Sequence, residues 1–192
     1  MGIWHGCLAA LVVAWSGPVF AQVSGTPPSQ AAFRAAIQKH YELAQAEKDD
    51  ARFADLERAR ATALARALGP NLQFEGWVLE LKGIEPTPRG GYFVRFIDSA
   101  LADLRFARPT FWNGGPGRLT RDCSIPMNSQ LYDVLKQMKP GRSATVSGRF
   151  FPDANDGPVF ESAKLNFRAN EVEIAKFRTP YFSVQFTEIV AR

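Results

Sequence analysis

Arginine and aromatic residues are interleaved between positions 92 and 112. Tyr92-Phe93-Val94-Arg95-Phe96 comes first, then Arg105-Phe106, then Phe111-Trp112. These side chains suit one kind of chemistry: ring faces stack on flat ligand surfaces while guanidinium groups pair with anions. In the window 89–121, Arg89, Arg95, Arg105, Arg108, Arg118 and Arg121 stand against Asp98 and Asp103. Six basic against two acidic residues leave this window at +4, in a chain whose formal net charge is also +4. Single-stranded nucleic acid, an anionic glycan or an acidic protein surface would each fit. A solvated sheet face over core aromatics fits as well, because +4 over 192 residues is modest.

The residue sets of common catalytic sites are missing. Past residue 21 the chain has one histidine, His40, inside a long helical stretch. It has no His-Glu-x-x-His, no Cys-x-x-Cys, no Gly-x-Ser-x-Gly and no Ser-x-x-Lys. Carboxylates are scattered, and no spacing singles out a pair for acid–base work. Asp153-Ala-Asn-Asp-Gly invites a calcium reading, with oxygen ligands at loop positions 1, 3 and 5 and Glu at 12. Position 5 is Gly157 and position 12 is Lys164, so the loop fails and a hairpin turn explains it better. The sequence therefore calls for no metal, no cofactor and no enzyme. An envelope glycan hydrolase built on a carboxylate pair is the catalytic alternative.

The N-terminus points to export. Residues 1–21 contain no Asp, Glu, Lys or Arg, and residues 7–15 (CLAALVVAW) are apolar. Pro18 breaks the run and Val19-Phe20-Ala21 follows, which predicts a secretory signal peptide cleaved after Ala21. An uncleaved membrane anchor is the alternative, but the run falls short of the roughly 20 apolar residues a span needs. The rest of the chain then has no transmembrane span. It keeps one cysteine, Cys123, so it holds no internal disulfide, and it has no Asn-x-Ser/Thr sequon. A bacterial periplasmic or secreted protein is the simplest reading.

Several elements must position these residues. Residues 22–28 read as a leader. Residues 30–68 lack Gly and Pro and are rich in Ala, Leu, Arg and Glu, which predicts helix, with Ser29 as N-cap and Gly69-Pro70 as stop. The stretch forms either one long helix or a hairpin broken near Lys48-Asp49-Asp50. Its sparse stripe, Phe33, Ile37 and Tyr41, predicts a surface helix laid against the next domain, or else a projecting arm. From residue 70 the pattern turns to strands: 73–84 with a bulge at Gly76, 92–97, 103–107, 143–151 and 181–190. Loops of Gly and Pro at 113–117 and a short helix over 130–138, capped by Ser129, separate the third strand from the fourth. Residues 158–161 follow a turn at 153–157, and 162–180 read as an insertion.

Three strands, a short helix and two further strands is the order of a five-stranded Greek-key barrel of the OB type, whose helix plugs the barrel. With this order, and with Pro140-Gly141 running into Val146-x-Gly148, the chain from about 73 to 190 resembles the OB-fold superfamily. It looks most like the signal-peptide-bearing, tRNA-anticodon-like bacterial proteins of that superfamily. Another small β-barrel behind an N-terminal helix is the alternative fold. On an OB barrel the face of strands two and three binds ligands, so the resemblance directs attention to the arginine-aromatic window. Alternation puts Phe93 and Arg95 outside and Val94 and Phe96 inside, with Arg105 joining the outer face and Trp112 reaching over from the adjoining loop. Phe93, Arg95, Arg105 and Trp112 are thus the candidate ligand surface. The expected partner is an envelope protein or an anionic glycan. Single-stranded nucleic acid suits the same surface, but export argues against it.

Overall fold

The computed structural model describes residues 25–47, 49–87, 90–101, 109–114, 124–152, 177 and 180–192. Two helices of equal length open it, α1 (Pro28–Ala46) and α2 (Asp50–Leu68). Pro27 and Pro28 begin α1, where the fixed proline φ suits a first turn whose N–H groups have no partner within the helix. The N-cap position falls on Pro27, not on Ser29. Ser29 instead accepts a hydrogen bond from the indole Nε1 of Trp77, 3.0 Å away. α1 ends at Ala46 and α2 begins at Asp50, so the hairpin is the observed alternative. The helices run antiparallel: Phe33 and Ile37 share a core with Leu64 and Leu68, and Tyr41 and Ala44 share one with Phe53. Gly69 ends α2 at φ +75°, a left-handed conformation open to glycine at little cost.

A closed, five-stranded mixed β-barrel follows. Its strands are β1 (Gln73–Pro86), β2 (Gly91–Ile97), β3 (Thr110–Trp112), β5 (Ser143–Phe150) and β6 (Tyr181–Ala191). The short β4 (Ile125–Pro126) pairs with Gly91 and Tyr92 at the start of β2, a stretch that β3 does not reach. Neighbours run β1-β5-β6-β3-β2, and β2 pairs back onto β1 to close the ring. Every pairing is antiparallel except β3 with β6. Three bulges coil the strands for closure. β1 carries one between Phe74 and Trp77, where Gly76 takes φ +65°, and another between Leu81 and Gly83. The third interrupts the pairing of β5 with β6 at Ser147 and Gly148, opposite Glu188 and Phe186. The extra residue there is Thr187 of β6, so β5 keeps its alternation. Ala144, Val146 and Phe150 are buried, while Arg149 is exposed.

One hydrophobic core joins helices and barrel. The Phe33 ring lies 5.0 Å from that of Trp77, 5.3 Å from Phe150, 5.2 Å from Phe182 and 6.0 Å from Phe111. A projecting arm does not describe α1: its stripe of Phe33, Ile37 and Tyr41 is buried while the opposite face is exposed, and Phe33 is seated among the inner rings of four strands. At the other end of β5, the helix α3 (Gln130–Leu135) buries Leu135 and, just beyond it, Met138. Ser129 caps α3, accepting from the Tyr132 N–H.

A polar latch fixes α1 to the barrel. The Gln30 side chain is fully buried and pairs with Val78 as a strand would, its Nε2 donating to Val78 O (2.9 Å) and its Oε1 accepting from Val78 N (3.0 Å). Arg34 forks onto Asp98 at 2.7 and 2.8 Å, and Gln30 also reaches that carboxylate. Asp98 is 1% exposed, so its charge is desolvated and answered by these donors.

The expected third strand over 103–107 lies outside the described residues, as do the turn at 153–157 and residues 158–161. Among the described residues the strand that follows β2 in the chain and pairs with it in the barrel is Thr110–Trp112, so Phe111 and Trp112 are strand residues rather than loop residues. Phe111 points inward and is fully buried.

Candidate functional site

The outer face of β2 and β3 collects three aromatic rings around one guanidinium. Alternation along β2 buries Val94 and Phe96 and leaves Phe93 and Arg95 half-buried on the outside, as the sequence predicts. Arg95 sits opposite Trp112 across the β2–β3 pairing. The Phe93 and Trp112 rings meet edge-to-face at 5.4 Å, and Trp112 meets Tyr181 at 5.7 Å. Three of the rings are thus in series over strands β2, β3 and β6, in geometries that aromatic quadrupoles favour.

The backbone beneath this row explains why it holds. A Cβ on Gly114 would lie 2.0 Å from the Trp112 ring, so only glycine lets the indole lie down against the chain there. The buried Asn113 side chain pairs with β2 beyond the end of β3: Oδ1 accepts from Val94 N at 2.6 Å and Nδ2 donates to Tyr92 O at 3.1 Å. The Ser183 hydroxyl donates to Gly114 O at 3.0 Å, tying the same corner to β6.

Arg95 is held on two sides. Its Nη2 pairs with Glu85 Oε1 of β1. It also interacts with the Tyr181 hydroxyl, whose pKa is raised above its ordinary value first by burial. Arg95 pulls that pKa down and Glu85 pushes it up, with burial prevailing, so Tyr181 stays neutral at physiological pH, its oxygen accepting from Arg95. The Nε of Arg95 is buried and has no acceptor among the described residues. The guanidinium therefore keeps donor capacity that the fold leaves unused.

Of the four residues expected at the ligand surface, Phe93, Arg95 and Trp112 come together, and Arg105 lies outside the described residues. Sequence reasoning missed Tyr181 and Glu85. Tyr181 opens the last strand, and only the parallel pairing of β3 with β6 brings it beside Trp112. Glu85 lies one residue past the strand expected over 73–84, and its approach to Arg95 depends on the bulge at Leu81/Gly83.

A concavity of about 400 Å³ lies elsewhere, on the barrel wall of β1, β5 and β6, lined by Gln73, Glu75, Ser147, Arg149 and Glu188 among others. Its polar groups are largely paired with one another. Ser147 accepts from Gly76 N and donates to Glu188, and Arg149 donates to Gln185. Among the described residues no group of three or more His, Cys, Asp or Glu stands together, and no helix is long and apolar enough to cross a membrane. No family model matches the chain, and no curated protein or solved structure matches it either.

Proposed function

We propose that this chain is an exported, non-enzymatic binding module of the bacterial envelope, built on an OB-type barrel, whose Phe93–Arg95–Trp112–Tyr181 face takes an anionic glycan. The observation that carries the reading is the row of half-buried rings Phe93, Trp112 and Tyr181 set around one guanidinium. Soluble domains usually bury such rings or scatter them, and a row of them with a charged group marks a place for a ligand. Sugar rings offer C–H faces to aromatics, and their carboxylate, sulfate or phosphate groups offer partners to arginine.

The barrel supports the OB assignment by its strand neighbours: β1 beside both β2 and β5, β3 parallel to β6, and a helix ahead of β5. OB barrels that bind oligosaccharides or oligonucleotides use this strand face and the loops beside it. The charge-free, apolar residues 1–21 support export.

Fluorescence titration tests the proposal, because past residue 21 the only tryptophans are the fully buried Trp77 and the half-buried Trp112. A heparin-derived tetrasaccharide should change the Trp112 emission in a saturable way, with an affinity that falls moderately with salt. Oligodeoxythymidylate is the contrasting ligand. Tighter binding of that oligonucleotide, with a salt slope of several released counterions, would replace the glycan by single-stranded nucleic acid.

A further inference from the structure

We infer that Glu85 sets the specificity of this face, its carboxylate standing on Arg95 in the place of a ligand anion so that only anionic ligands displace it. The inference rests on the ligand-surface reading above and names a residue that the reading itself does not need.

The register shows how the contact is built. Arg95 pairs with Gly83 across β1–β2, and Glu85 pairs with Phe93 two residues on. Gly83 presents no side chain, and a Cβ there would already touch the Arg95 Nη2 at 3.8 Å. The guanidinium therefore lies along β1 over Gly83 and ends on Glu85. The Glu85 side chain is 55% exposed and that of Arg95 is 32% exposed. An ion pair so open to water adds little net stability, so a structural role explains it poorly. Exchange explains it better. The Tyr181 hydroxyl holds the guanidinium by a hydrogen bond of its own, so Arg95 stays aligned when Glu85 swings away into solvent. A ligand with its own anion replaces one charge-assisted contact by another. A neutral ligand that covers the face desolvates the pair and returns nothing, which selects against it.

Binding of a heparin-derived tetrasaccharide at fixed ionic strength separates the two claims. The proteins compared are the wild type, Glu85→Gln, Arg95→Ala and the double variant. Glu85→Gln keeps the shape and removes the competing charge. It should tighten binding by about two- to fivefold, the range expected for release of one exposed ion pair. In the Arg95→Ala background the same change should do nothing, because the residue for which Glu85 competes is gone. Three results would overturn the inference. One is Glu85→Gln binding no tighter than wild type while Arg95→Ala weakens binding, in which case the surface stands without its gate. Another is an equal gain with and without Arg95, which would mean a general charge effect. The third is tetrasaccharide binding that is absent, or indifferent to Arg95, and it would remove the surface reading together with the gate.

Discussion

Gly114 tests the ligand face without touching it. Its backbone is where the Trp112 indole rests, and a methyl group there would collide with the ring. Gly114→Ala should push Trp112 out of the aromatic row at a cost of about 1 kcal/mol, the range of mild overpacking. Near-ultraviolet circular dichroism should change and glycan binding should weaken several-fold, while far-ultraviolet ellipticity stays the same. His40 gives a prediction of a different kind. Its Nδ1 lies 2.8 Å from Ala36 O, and a carbonyl only accepts, so the neutral ring carries its proton there. Burial lowers its pKa below the ordinary 6.5, the Ala36 bond opposes this, and the charges of Arg60 and Lys39 add to the lowering. The sign follows from linkage. Below pH 6.5 the unfolded chain takes up a proton that the folded one refuses, so this contribution is intact above 6.5 and lost as the pH falls toward the folded pKa. Urea denaturation between pH 7.5 and about 5 should show stability falling with pH, and His40→Gln should flatten that slope. An unchanged slope would remove His40 from the account.

At the scale of elements, the hairpin and the barrel stand or fall on the latch. Arg34→Ala leaves the buried Asp98 carboxylate without its main partner and should cost about 3 kcal/mol. Gln30→Ala strands the Val78 N–H and C=O and should cost about 2 kcal/mol. Both side chains meet at Asp98, so the double variant should depart from additivity, which chemical denaturation of the set will show. The sequence announced most of these elements. A helical run free of Gly and Pro, the alternation of Trp77, Leu79 and Leu81, the glycine bulge and the Ser129 cap are local signals, and each is where local physics puts it. What escaped is long-range. Phe33 and Gln30 look like ordinary helix residues, and only the assembled barrel gives one a ring-lined mouth and the other a strand to pair with. Trp112 read as loop because Asn113-Gly114 follows it, whereas the backbone N–H and the side chain of Asn113 both carry the pairing with β2 past the end of β3. In the candidate site, alternation found Phe93 and Arg95, but Tyr181 and Glu85 arrive by strand neighbours and a bulge that no local pattern encodes.

For the whole molecule, inside and outside are opposed claims about the same barrel. Val146 and Phe150 line the core of β5, and Val146→Asp or Phe150→Asp should abolish cooperative melting, because each buries an unpaired carboxylate. Arg95→Ala should move the melting temperature little, since its partner Glu85 is open to water. The proposed ligand face is the Phe93–Trp112–Tyr181 row and not the groove of β1, β5 and β6. An NMR titration of the uniformly labelled protein with the heparin-derived tetrasaccharide tests this most directly. Saturable shifts should gather at Phe93, Arg95, Trp112 and Tyr181, the indole N–H of Trp112 among the largest. Shifts centred on Glu75, Ser147, Arg149 and Glu188, or none that saturate, would contradict it.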